Sequence, residues 1–132
     1  MKRRNVYTGK PVEKKYQYTP AVIAEQAGLV FVSGQAGWDE NGDMVGIGDP
    51  AVQARKAFEN LRDVLAVAGA SLGSVIKETE YVTDLALYRE IGRVRKDFFP
   101  DNFPAATLVE VKGLFKKGQV FEIDVVALLG QR

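Results

Sequence analysis

The chain has 132 residues, 27% of them charged, with a formal net charge of +1 and neither Cys nor His. That length predicts one domain, residues 1–132, able to bury a core without covalent staples, and the balanced charge gives no reason to expect a nucleic-acid partner. The missing residue types exclude a disulfide framework, a thiol nucleophile, Ser-His-Asp catalysis and the commonest zinc ligand sets, so acid–base chemistry must come from Asp, Glu, Tyr, Lys or bound water. No apolar run reaches the roughly 18 residues of a membrane span. No apolar segment follows the basic start Lys2-Arg3-Arg4 either, so a cytoplasmic chain without membrane contact or metal is expected.

In chain order, Arg3 to Thr8 reads as a short strand, broken by Gly9, Lys10 and Pro11. Glu13 to Tyr18 is expected to be extended or looped. Ala21 to Gln26 and Leu29 to Ser33 read as strands around a turn at Ala27-Gly28. A Gly-rich connection follows from Gly34 to Gly48. Within it, Trp38 is a binding candidate if exposed and a lid on its own domain if packed. Asp49 and Pro50 form a helix start, as N-cap and first helical residue. Ala54, Ala57, Phe58, Leu61, Val64, Leu65 and Ala68 then recur at helical spacing, and Gly69 ends the run. Ser74 to Thr83 reads as a strand. Asp84 caps a second helix with an apolar stripe of Tyr88, Ile91, Val94 and Phe98, and Pro100 stops it. The last two strands, Ala105 to Leu114 and Val120 to Leu129, are expected to pair as a hairpin around Lys116, Lys117 and Gly118. The order β-β-β-α-β-α-β-β predicts a two-layer α/β (α+β) sandwich, two helices covering one face of a mixed sheet.

The other sheet face carries the chemistry. Phe121, Ile123, Val125, Ala127 and Leu129 share one side of the last strand and belong under the helices. Glu122 and Asp124 share the other side with Val126 and Leu128. With Leu108, that side is more apolar than a solvated face needs to be, which predicts a second subunit over it and a small-molecule pocket near the interface. Glu78 and Glu80 have two readings. They join Glu110, Glu122 and Asp124 in an acidic cleft that favours a cationic or neutral ligand, or they pair with Lys77, Lys112 or arginines of a neighbouring subunit.

Tyr18-Thr19-Pro20-Ala21-Val22, Leu29 to Gln35 (LVFVSGQ), Gln53 with Phe58 to Leu61, Ala68 to Ser71, Val75 to Asp84 (VIKETEYVTD), Phe98-Phe99, Phe103 to Ala105, Leu108 to Val111 and Phe121 to Ala127 (FEIDVVA) form an ordered set. In that set the chain resembles the Rid (YjgF, L-PSP) family of reactive intermediate deaminases. The resemblance implies a chorismate-mutase-like fold and a homotrimer with ligand clefts between subunits. It also implies cofactor-free hydrolysis of enamines or imines to keto acids and ammonia. Tyr18, Ser33, Gly34, Thr107 and Glu122 match its site positions, and Glu122 corresponds to the glutamate that orients a water at the imine carbon. The resemblance also places an arginine for the substrate carboxylate after Pro-Ala, where this chain has Ala106, and an asparagine where it has Gly92. The chain is therefore expected to be a non-archetypal trimer binding a small metabolite, with a divergent enamine or imine deaminase using Glu122 and a water as the alternative. Ribonuclease or translation-inhibitor action ranks below both. Arg89, Arg93 and Arg95 of the second helix are candidate replacement cations.

Overall fold

The computed structural model describes residues 2–130. Its strands are β1 (Arg3–Val6), β2 (Ala21–Ala24), β3 (Leu29–Gln35), β4 (Val75–Val82), β5 (Ala105–Glu110) and β6 (Phe121–Leu128). Its α-helices are α1 (Pro11–Lys15), α2 (Pro50–Val67) and α3 (Tyr88–Phe98). The strands form one mixed sheet in the order β1-β2-β3-β6-β4-β5, parallel only between β4 and β5. This is the expected α+β architecture, with both long helices on one face. Among the described residues no helix is long and apolar enough to cross a membrane.

Local chemistry accounts for the helices. Asp49 accepts a hydrogen bond from the Val52 N–H at 3.2 Å, and Pro50 opens α2. Gly69 closes the helix in the left-handed region at φ +83°, which costs a residue with a Cβ far more. Asp84 caps as expected, but onto a single 3₁₀ turn, Leu85–Leu87, before α3 begins. The stretch from Glu13 to Tyr18, expected to be extended or looped, is helical as far as Lys15, within α1. Pro11 presets its first turn, and the buried Glu13 accepts from the N–H groups of Thr8 and Gly9.

The core is built where α2 and α3 meet the sheet. Phe58 on α2 lies 5.3 Å from Phe98, 6.2 Å from Phe99 and 5.4 Å from Phe121, centroid to centroid. Phe121, Ile123, Val125 and Ala127 are all buried on the helix side of β6, as their alternation predicts. Two amides of α2 fasten the flanking loops. Asn60 donates to the carbonyls of Ala36 and Trp38 at 2.8 and 2.9 Å. Gln53 donates to Gly118 O at 3.1 Å and accepts from Val120 N–H at 2.6 Å. Trp38 is buried in a second small cluster with Val12 and Ala36, so it is the lid of its own domain.

The last two strands do not form a hairpin. β4 lies between them, parallel to β5 and antiparallel to β6. The chain leaves β5 with Val111 N–H bonded to Val82 O at 2.8 Å, crosses the end of β4 and returns as β6 between β3 and β4. Burial explains the choice. Every second residue of β6 is buried, so β6 needs the centre of the sheet under both helices, whereas β5 is exposed along most of its length and suits an edge.

Candidate active site

β6 projects Glu122 and Asp124 from the face that the helices leave bare. Glu122 is half-buried, and its Oε1 accepts from Gln119 Nε2 at 3.1 Å. Its other oxygen lies against Gly34 of β3, where an added Cβ would stand 2.2 Å from Oε2. Glycine at 34 is therefore what leaves room for the carboxylate. Burial raises the pKa of Glu122, the neighbouring Asp124 charge adds to that, and the Gln119 donor opposes both. The result is a carboxylate more basic than an exposed glutamate, with one oxygen held by an amide. Asp124 accepts from Tyr81 Oη at 2.8 Å, and this bond to an anion pushes the tyrosine up to about 12.

The other expected site residues are spread around this point. Ser33 precedes Gly34, but its hydroxyl donates to Thr19 O at 2.5 Å and its N–H to Pro20 O at 2.8 Å. Ser33 thus straps the 18–20 segment to β3. Tyr18 is half-buried with its ring 6.3 Å from Trp38, and burial pushes its phenol up to about 12. Thr107 accepts from Lys77 Nζ at 2.9 Å. It lies opposite Thr79, which lies opposite Asp124, so Thr107 shares the face of Glu122 two strands away. Ala106 pairs with Glu78 and points to the helix side. One chain therefore does not bring Ala106 and Glu122 together. Leu108 also turns out to lie on the helix side, opposite Glu80, rather than with Val126 and Leu128.

The five acidic residues do not gather into one cleft. Glu110 accepts from Leu85 N–H at 2.9 Å at the start of the 3₁₀ turn. Glu78 and Glu80 are 1% and 2% exposed on the helix side, one strand in from the edge of the sheet under α3. Their partner is in their own chain. Arg95 Nε donates to Glu78 Oε1 at 3.0 Å and Glu80 Oε2 at 2.9 Å, and Nη2 donates to Glu78 Oε1 at 2.6 Å. Tyr88 donates to Glu80 Oε1 at 2.5 Å. Glu78 Oε2 is buried with no hydrogen-bond partner among the described residues. Burial, helped by the charge of Glu80 and opposed by Arg95, pushes Glu78 up to about 8, so near neutral pH it keeps its proton. Beside the cluster, Tyr88, Gly92, Arg95, Lys96, Phe99 and Phe103 line an open hollow of about 540 Å³.

The role of Gln119, the contact of Gly34 with Glu122 and the Arg95 cluster were not expected from the sequence. Glutamates two apart on a strand between Val75 and Val82, followed by an arginine one turn after an apolar helix residue, were the available signal for the last. Among the described residues no group of three or more Asp or Glu side chains is arranged to hold a metal ion.

A family model described as Endoribonuclease L-PSP matches residues 9–129. The human 2-iminobutanoate/2-iminopropanoate deaminase is 30% identical over 128 residues, 97% of this chain and 91% of that protein. The 3-aminoacrylate deaminase RutC of Acinetobacter baylyi is 39% identical over 110 residues, 83% and 85% of the two chains. Among solved structures, Rv2704 of Mycobacterium tuberculosis, a member of the YjgF/YER057c/UK114 family, superposes with a TM-score of 0.81 at 33% identity, covering 97% of this chain and all of that one.

Proposed function

We propose a function from one premise: the chain belongs to the L-PSP (YjgF, Rid) family. It hydrolyses a small enamine or imine to a carbonyl compound and ammonia, with Glu122 as the base. Glu122 takes a proton from a water as the water oxygen bonds to the imine carbon and the C=N π pair moves to nitrogen. Proton return to nitrogen gives a carbinolamine, whose hydroxyl proton passes to the amine as the C–N bond breaks, so that ammonia leaves and the C=O group remains. An enamine enters the same sequence once its β-carbon has been protonated. The observation that carries this reading is the seat of Glu122, half-buried, fixed by Gln119 and made more basic by burial. The two relatives named as iminoacid and aminoacrylate deaminases support the reaction class. No metal or organic cofactor enters the scheme, and the reaction is assigned to the cytoplasm.

The working unit in this proposal is a homotrimer with its clefts between subunits. Glu122 and the α3 edge face opposite sides of one sheet, so a small molecule touching both needs two copies of the chain. The bare face also leaves Phe31 47% exposed opposite Val126, apolar surface that a neighbouring copy would cover. Ribonuclease action, the activity in the family's description, is not favoured by a net charge of +1 and the absence of His.

The test is ammonia release from 2-aminoacrylate and from imino acids generated in situ, with light scattering for the oligomer. Glu122→Gln is expected to lower the rate by about 10²–10⁴-fold with no loss of thermal stability. A wild-type rate no higher than buffer sinks the hydrolase. It leaves the second reading, a trimer that binds a metabolite without turning it over. Ala106 favours that reading, because a methyl group stands where the resemblance places the arginine that pairs with the substrate carboxylate.

A further inference from the structure

Arg95 is held on one edge only. Nε and Nη2 are bonded to Glu78 and Glu80, while Nη1 has no hydrogen bond among the described residues and is not among the buried unpartnered atoms. The free edge belongs to a side chain that lines the α3 hollow. The glutamates behind it lock the guanidinium in place, so it needs little ordering to receive an anion. Charge in the hollow is favourable as well. Burial keeps Glu78 protonated near neutral pH, so Glu80 balances Arg95 and the adjacent Lys96, which makes no ion pair among the described residues, is uncompensated. The remaining wall is aromatic. Tyr88 stands on one side, Arg95 lies 5.2 Å from the Phe99 ring, and Phe103 is 70% exposed. Gly92 contributes no side chain, and this keeps the hollow open.

We propose that this hollow selects substrates with a carboxylate next to an aromatic group, the carboxylate on Arg95 and Lys96 and the ring between Tyr88, Phe99 and Phe103. This deepens the hydrolase reading and rests on it for the identity of the reacting group. It makes Arg95 a specificity-determining residue and assigns the substrate class as imines or enamines of aromatic 2-oxo acids. A hollow of about 540 Å³ is within the range of small-molecule sites, roughly 300–1,000 Å³, and much larger than a three-carbon acid requires.

Phenylpyruvate, pyruvate and phenylacetone serve as probes, titrated calorimetrically into the full chain. Phenylpyruvate is expected to bind about tenfold or more tighter than either of the others, because each lacks one of the two contacts. A Cβ at position 92 would already lie 3.3 Å from the Tyr88 ring, so Gly92→Leu fills the hollow and should abolish that preference. Arg95→Lys keeps a charge beside the glutamates but loses the fork, and should weaken phenylpyruvate by about tenfold. Equal binding of pyruvate and phenylpyruvate, or phenylpyruvate binding unchanged by Gly92→Leu, overturns the proposal. Glu122→Gln separates the two readings, since it should lose ammonia release while keeping the preference for phenylpyruvate over pyruvate. If Gly92-dependent binding persists while no ammonia is released, the hydrolase falls and the hollow stands. Ammonia release with binding indifferent to Gly92→Leu gives the reverse.

Discussion

Glu78 and Glu80 on β4, and Glu122 and Asp124 on β6, are the same kinds of group on neighbouring strands, but they point to opposite faces of the sheet. The first pair is sealed beneath α3, shares one arginine and leaves an oxygen without a partner among the described residues. The second pair is half-buried on the face that no helix covers, each member held by a neutral donor, Gln119 or Tyr81. Two acids around one guanidinium form a structural unit whose partners cannot leave without stranding a buried charge. A carboxylate held by one amide keeps lone pairs for a water. Face and partner, rather than residue type, separate the structural acids from the available one.

That contrast can be broken from either side, and the largest effect should come from the sealed pair. Arg95→Met leaves Glu80 charged and buried, and should cost about 3–5 kcal/mol in denaturant melts, with aggregation as the alternative sign of the same loss. Next, Gly34→Ala puts a methyl group where Glu122 Oε2 now lies. The far end of the glutamate can yield, so stability should fall by no more than about 1 kcal/mol while ammonia release falls about 10–100-fold. An unchanged rate would show that the seat of Glu122 is not needed.

The pH dependence of stability comes third. The folded-state pKa of Glu78, about 8, lies above the ordinary glutamate range of the unfolded chain. Between the two, the folded state holds the extra proton. Its contribution is therefore complete at acid pH, declines as pH rises through that window and is gone above it. Glu78→Gln should flatten the decline in melting temperature measured from pH 5 to 9. A wild-type curve that rises across this range would contradict a protonated Glu78. The smallest effect belongs to the open face, where Tyr81→Phe removes one bond to a half-buried carboxylate and should cost about 1 kcal/mol.

Much of the fold was legible in the chain. The Asp49-Pro50 start, the apolar stripe to Ala68 and the stop at Gly69 delimited α2 because caps and periodicity are local. Alternation in β6 assigned its buried face for the same reason. The pairing of β5 and β6 was not legible, because a Lys-Lys-Gly loop between two extended runs looks the same whether the return strand lies beside its predecessor or one strand further in. Glu122 stood out through its position in FEIDVVA. Its seat on Gly34 depends on β3 lying beside β6, which no local pattern states.

Sequence alone determined the residue types available for chemistry, the two amphipathic helices, the buried face of β6 and the family. Each is a property of composition, local spacing or ordered motifs. Tertiary structure alone decided that β4 separates β5 from β6, that Arg95 of the same chain rather than a neighbouring subunit is the partner of the glutamates of β4, and that Ala106 and Glu122 lie on opposite sides of the sheet. Those facts depend on which strands become neighbours. That is set by the competition of all the strands for cover under α2 and α3, and not by any stretch read by itself.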